Sequence, residues 1–282
     1  MFTLKWECDS TAADFRGGLA GRRVQIWRDL TETECAYGYS GPDWWAMEWP
    51  RLGTFRFGPA FGETVEVIPE PGVAVERIED LYRRSVLPLV LQAFGRETLH
   101  ASAVTGSRGV LAFVGRRGAG KSTVAYALRR RGFEQHADDT LVLTIASNAV
   151  TTLPLPFSPR LRPASADFFE KAAQRHSLST CGPATAEPLA AVFILRPAEQ
   201  AGPLAISALA PTEAFQAALA HAHCFDTEDP ASRRRLLQNY LEIAARVPMF
   251  DVTYQPGLER LDALLDAVLT SAGEMTAMSV AV

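Results

Sequence analysis

No two of the four cysteines, Cys8, Cys35, Cys181 and Cys224, lie close enough to form a CxxC pair. That scatter excludes a zinc ribbon and a disulfide-stapled scaffold, leaving four separate thiols. Long apolar runs are also missing: Val86–Leu91 and Ala190–Leu195 are among the longest, and both fall far short of a membrane span. The first ten residues, MFTLKWECDS, lack the basic start and apolar run of a secretory signal, so a cytoplasmic address is expected. Positive charge is not in excess either. With 28 Lys and Arg against 32 Asp and Glu the net charge is -4, which argues against general affinity for nucleic acid or an anionic membrane. Tryptophan is absent beyond residue 49, and there is no internal repeat or low-complexity tract.

What is present is a chain of 282 residues, 48% apolar, long enough for one large domain or two modest ones. The five tryptophans, Trp6, Trp27, Trp44, Trp45 and Trp49, mark off a small β-rich N-terminal part over residues 1–75. There Arg23–Trp27, Thr54–Phe57 and Thr64–Ile68 read as short strands between Gly and Pro turns, with the tryptophans as core or interface. Residues 76–282 are expected to form the second domain, which carries the phosphate-binding motif. It opens with a helix in which Val75, Ile78, Leu81, Val86 and Leu89–Leu91 recur at helical spacing and which Pro88 should kink or divide.

The stretch Leu111–Val124, LAFVGRRGAGKSTV, is where residue type and spacing dictate a chemistry. Gly115, Arg116, Arg117, Gly118, Ala119, Gly120, Lys121 and Ser122 make the GxxxxGK[ST] pattern of a phosphate-binding loop, with Thr123 following. Its glycines allow successive N–H groups to turn inward onto phosphate oxygens. Lys121 adds a point charge for the β- and γ-phosphates, and the Ser122 hydroxyl can join the shell of a magnesium ion. The apolar run Val110–Val114 before it and the helical stretch Thr123–Arg131 after it, closed by Gly132, supply the strand and helix that such a loop needs. The strand Val110–Val114 is expected to pair with Glu97–Val104 across a turn at 105–108.

Downstream, FEQHADDTLVL carries the pair Asp138 and Asp139 at a strand end, where two carboxylates call for a cation or a shared proton. Residues 153–163, LPLPFSPRLRP, read as extended and bring Arg160 and Arg162; residues 174–188 read as a loop. The strand Ala190–Leu195 ends in Arg196 where phosphate-loop ATPases and GTPases usually place a magnesium-assisting acid, so the Asp pair must supply that acid. Helices are expected over Thr212–Ala222, Ala231–Arg246 and Leu258–Leu269, with an edge strand at Val247–Tyr254. His221 and His223 read as surface residues at a helix end, and Arg129–Arg131 as cations suited to a helix C-terminus.

The set LHASAV, GRRGAGKST and HADDTLVL, in that order, resembles the HPr kinase-like group. A His about twenty residues before the loop lysine and an Asp pair at a similar distance after it carry the resemblance, which covers residues 97–145. It implies an α/β fold like that of HPr kinases and phosphoenolpyruvate carboxykinases, here with a small β-rich N-terminal part. It also implies an ATP- and Mg2+-dependent kinase acting on a hydroxyl. On that reading Gly115–Ser122 cradle the triphosphate, Ser122 holds magnesium, one of Asp138 and Asp139 is the general base and the other a magnesium ligand, and His100 lies beside them. Lys121 and the metal would neutralise charge as it develops. The glycine-rich EIRGLG-type segment of the bifunctional enzymes does not follow Asp139, and their large N-terminal domain is replaced by the tryptophan-bearing part. The pattern is closer to stand-alone members, among them kinases of lasso peptide precursors, so a serine on a peptide or small protein is the expected acceptor. Assembly into homo-oligomers is common in the group. A small metabolite as acceptor, and a nucleotide-sensing protein without turnover, stand as the alternatives.

Overall fold

The computed structural model describes residues 2–6, 21–28, 31–146, 149–155, 163–171, 185–198, 200, 202–226 and 228–273. Cys8, Cys181, Arg160, Arg162 and most of the 174–188 stretch lie outside the described residues. The protein is mixed α/β and divides into two compact units, Met1–Gly95 with His223–Leu236, and Arg96–Ala222 with Leu237–Val282. Among the described residues no helix is long and apolar enough to cross a membrane.

The first unit holds a six-stranded sheet of β1 (Thr3–Trp6), β2 (Arg22–Arg28), β3 (Glu34–Ser40), β4 (Trp45–Trp49), β5 (Gly53–Phe57) and β6 (Thr64–Pro69). β2 to β6 run as an antiparallel meander, and β1 closes the other side parallel to β6, giving the order β1-β6-β5-β4-β3-β2. Alternation places Phe55, Phe57, Val65 and Val67 in the interior. Three half-buried tryptophans pack with other rings, Trp27 on Trp49 and Phe225 and Trp45 against Phe57 and Phe94, whereas Trp6 is exposed. The helical segment follows as α1 (Val75–Leu81), a π-helical turn at Tyr82–Val86 and α2 (Leu87–Ala93). The helical run is thus divided just before Pro88, as expected. Pro88 occupies the opening of α2, and the wider turn before it accommodates a residue that offers no N–H to the preceding carbonyls.

The second unit contains β7 (Glu97–Leu99), β8 (Ala101–Gly106), β9 (Gly109–Gly115), β10 (Glu134–Ala137), β11 (Leu141–Ile145), β12 (Val150–Leu153), β13 (Glu187–Pro197), β14 (Ala205–Ala208) and β15 (Met249–Tyr254). Its helices are α3 (Lys121–Arg130), α4 (Pro163–Lys171), α5 (Pro211–Leu219), α6 (Pro230–Arg246), which the two units share, and α7 (Leu261–Ala272). β8 and β9 form the expected hairpin, but only from Ala101 onward, since Glu97–Leu99 is a separate strand that pairs with β11; β9 lies parallel to β13 with Gly115 opposite Leu195. β13 is also parallel to β15, which in turn pairs with β14. β15 is thus an interior strand, not an edge; the edge is the four-residue β14, too short and too weakly apolar to stand out in the sequence. The first residues of β13 additionally pair with β12, which carries β11 and β7.

β9 is buried along its whole length, with Phe113 stacked on Phe193 of β13 and Phe193 on Phe250 of β15. Val124 and Leu128 of α3 and Leu264, Leu265 and Val268 of α7 close over the same core. Arg131, at the end of α3, donates to Asp262 at 2.6 Å and to Asp266 at 2.5 Å, so one of the three arginines expected to suit the helix end also ties α3 to α7.

Candidate active site

The loop Gly115–Gly120 runs from the C-terminal end of β9 into the first turn of α3, the strand–loop–helix path its sequence predicts. Gly115 has φ 152, and a Cβ built there would stand 2.7 Å from the Leu195 carbonyl oxygen, so the close approach of β9 to β13 demands glycine. Gly118 and Gly120 also have positive φ, and Gly120 is the left-handed residue from which α3 starts. Arg116, Arg117 and Gly118 are exposed, whereas Ala119 is buried. The loop is tied from outside by Tyr254, whose hydroxyl donates to the Ala119 carbonyl at 2.6 Å. The α3 N-terminus therefore presents its N–H groups and positive dipole end where the glycines leave room for an anion.

Lys121 is 7% exposed, and its ammonium donates to the Gly115 carbonyl at 2.9 Å, so the charge is held over the loop. Ser122 donates to Asp138 Oδ1 at 2.8 Å, and Ser102 of β8 donates to the same oxygen at 2.7 Å. Asp138 is 6% exposed and sits where the chain turns from β10 to β11. Asp139, half-buried, takes φ 67, a left-handed conformation that Asp tolerates better than most side chains. His100, just before β8, donates from Nδ1 to the Asp139 carbonyl at 3.0 Å, pinning that turn and leaving Nε2 as the acceptor nitrogen. Lys121, Ser122, Asp138, Asp139 and His100 thus converge at one end of the β8–β9–β10 sheet. Thr123, half-buried one residue further along α3, shares a 3.0 Å hydrogen bond with Ser165 of α4.

Three contributors went unread in the sequence. Ser102 had a signal, since period-two alternation along LHASAV puts it on the same face as His100. Tyr254 had none beyond ending a strand. His221 was read as a surface residue, but α5 ends at Leu219, and the residues after it turn in to pair with the sheet: the His221 carbonyl accepts from the His100 N–H at 2.8 Å and Ala222 bridges Leu99. Burial and the nearby Lys121, His100 and Arg196 charges push the His221 imidazole down to about 4, so it is neutral at ordinary pH. Arg196, in the place of the missing acid, forms an ion pair with Asp251 of β15.

Two cavities flank the loop. One, of about 620 Å3, is lined by Arg116, Arg117, Arg196 and His221 together with small residues of α5 and its end. The other, of about 480 Å3, lies against Gly118, Gly120 and Thr123 and is walled by Leu204, Tyr254, Pro256 and Leu258.

No family model and no curated protein matches the sequence. Among solved structures, the HPr(Ser) kinase/phosphatase from Coxiella burnetii is similar to this chain at 12% identity and a TM-score of 0.34, over 62% of this chain and 88% of that one. That likeness assigns no activity here, so chemistry has to come from the residues themselves.

The donor set suits a magnesium ion. A hydroxyl and a carboxylate, both hard oxygen ligands, meet at Asp138 Oδ1. Among the described residues there is no cluster of three or more His, Cys, Asp or Glu able to hold a metal. Magnesium at a triphosphate takes most of its ligands from phosphate and water, and needs only one or two from protein.

Proposed function

We propose that this protein is an ATP- and Mg2+-dependent kinase of the HPr kinase-like kind, which phosphorylates a serine hydroxyl on a peptide or small protein. The observation that carries the reading is the junction of loop and acid: Ser122, the loop's hydroxyl, and Ser102 share Asp138 Oδ1, with Lys121 beside them and Asp139 next in the chain. A loop that only bound phosphate would have no use for two adjacent carboxylates at its mouth.

Bound ATP would supply the phosphoryl group, and Mg2+ the charge that offsets its oxygens. The N–H groups around Gly118–Thr123 bind and orient the phosphates, and Lys121 draws negative charge away from the transferring group. Ser122 and Asp138 would hold the cation. Asp139, less buried and held in position through its carbonyl by His100, takes the proton from the acceptor hydroxyl. This division gives the two carboxylates separate roles, because Asp138 Oδ1 is already taken up by two hydroxyl hydrogen bonds.

Purified protein incubated with MgATP and a seryl peptide should yield a peptide one phosphate heavier. Full transfer in both Asp138→Asn and Asp139→Asn would end the proposal. A free hydroxy metabolite that alone accepts phosphate would shift the acceptor class, and tight ATP binding with neither transfer nor hydrolysis would identify a sensor.

A further inference from the structure

We infer that the acceptor docks through a negative charge close to its hydroxyl, in the cavity lined by Arg116, Arg117 and Arg196. The inference rests on the kinase reading and names the class of acceptor it requires: a hydroxyl compound with a carboxylate nearby, presented by an acidic peptide or by a free hydroxy acid.

The attacking and leaving oxygens of phosphoryl transfer lie roughly in line, so acceptor and nucleotide must leave the loop on opposite sides. The two cavities offer those sides, and they differ in chemistry. The one walled by Leu204, Tyr254, Pro256 and Leu258 is mainly apolar, as a nucleoside base needs. The other carries three guanidinium groups, and among the described residues its lining includes no Asp or Glu. Asp251 takes only the Nε–H of Arg196 from β15, so the terminal nitrogens of that guanidinium face a ligand together with Arg116 and Arg117. His221 adds no charge, being neutral, but its carbonyl accepts from His100, whose Nδ1 pins the Asp139 turn. The cationic cavity is therefore linked to the Asp139 turn through His221, which lines it, and His100. Arginine suits the role because its planar fork pairs with a carboxylate through two parallel hydrogen bonds. A volume of about 620 Å3 is ample for a side-chain hydroxyl and a neighbouring acid.

The test uses the full chain with Mg2+ and a non-hydrolysable ATP analogue, and measures binding of fluorescently labelled seryl peptides that differ only beside the serine: Asp and Glu, Asn and Gln, or Lys. Free glycerate and serine, competing against the labelled acidic peptide, report the hydroxy-acid source. Transfer from MgATP to the same peptides is measured in parallel. The acidic peptide should bind at least tenfold tighter than its amide counterpart at low salt, with the difference shrinking as ionic strength rises. Arg196→Gln should remove most of that difference, Arg196→Lys should restore part of it, and the paired variant Arg196→Gln with Asp251→Asn, which leaves no unpaired acid behind, should lose it too. Equal binding of acidic and amide peptides, a preference for Lys, or an undiminished preference in the paired variant overturns the inference. Transfer without charge preference would sink the docking site and leave the kinase standing. Charge-selective binding that depends on Arg196, but without transfer, would do the reverse.

Discussion

Ser122 Oγ donates to Asp138 Oδ1 across 2.8 Å, joining the last residue of the phosphate-loop motif to the first carboxylate of a pair sixteen residues further on. Ser102 donates to the same oxygen from the neighbouring strand. A buried carboxylate that accepts two hydroxyl hydrogen bonds is fixed in position and direction, as a group must be that offers a lone pair to a cation without rearranging.

The two acids should therefore fail differently when each is neutralised. Asp138→Asn keeps the shape but weakens the cation site, so the Mg2+ concentration for half-maximal activity should rise by about tenfold or more. Asp139→Asn should leave the Mg2+ requirement near its original value and lower kcat by about a hundredfold or more, as loss of a general base does. Titrating Mg2+ at saturating ATP separates the two, and identical profiles for the variants would refute the division of roles.

Tyr254 reaches the loop from β15 and is the external support of its backbone, through the Ala119 carbonyl. Burial pushes its phenol up to about 12, so it remains a neutral donor through the physiological range. Tyr254→Phe removes one hydrogen bond from a loop whose amides, on the proposed function, are preset for phosphate. At about 1 kcal/mol for such a bond, ATP should bind about fivefold more weakly with little change in fold. Isothermal titration with ATP checks this, and unchanged affinity would show that the loop holds its shape unaided.

Much of this site was legible because loop chemistry is local. Gly115, Gly118 and Gly120 act through their own backbone angles, and Lys121 and Ser122 through their place one and two residues after the last glycine, so spacing carries the information. The Asp pair was legible as a burial problem, two charges amid apolar neighbours. What escaped depends on contacts across long separations. His221 joins the site only because the chain after α5 turns in against Leu99 and His100, and Arg196 finds its counter-charge on a strand 55 residues away. β14 escaped for another reason: a four-residue strand such as AISA leaves no periodic trace, and Ala205–Ala208 is a strand because β15 offers an unpaired edge. In the first unit, Trp27, Trp45 and Trp49 were readable as core or interface, while Phe225, which stacks on Trp27 and meets Phe57, comes from nearly two hundred residues later.

His136 makes stability depend on pH independently of catalysis. It is 2% exposed, with its two ring nitrogens hydrogen-bonded to the hydroxyls of Thr105 and Thr152, and burial pushes it down from 6.5 to about 4. The native ring stays neutral where the unfolded chain takes up a proton, so the contribution is complete above pH 6.5 and is lost as the pH falls from 6.5 toward 4. At about 1.4 kcal/mol per pH unit the loss reaches about 3 kcal/mol. Urea denaturation between pH 7 and 4 should follow that slope, and His136→Gln should flatten it; a wild-type curve that is level across this range would contradict the buried neutral ring.

Two glycines with positive φ separate strain from collision. Gly115 and Gly132 have φ 152 and 96, so alanine is strained at both. At Gly132 a Cβ meets nothing within 4 Å, and Gly132→Ala should lower stability by about 1 kcal/mol while nucleotide binding is kept. At Gly115 the same methyl would stand 2.7 Å from the Leu195 carbonyl and 3.0 Å from Ala119, between the phosphate loop and its neighbouring strand. Neither backbone can yield without shifting β9 against β13 or lifting the loop's first N–H groups out of line. Gly115→Ala should therefore lose ATP binding by at least tenfold in addition to its stability cost, read by urea midpoint and ATP titration on both variants. Equal nucleotide affinity in the two would show that the loop's shape is set downstream of Gly115.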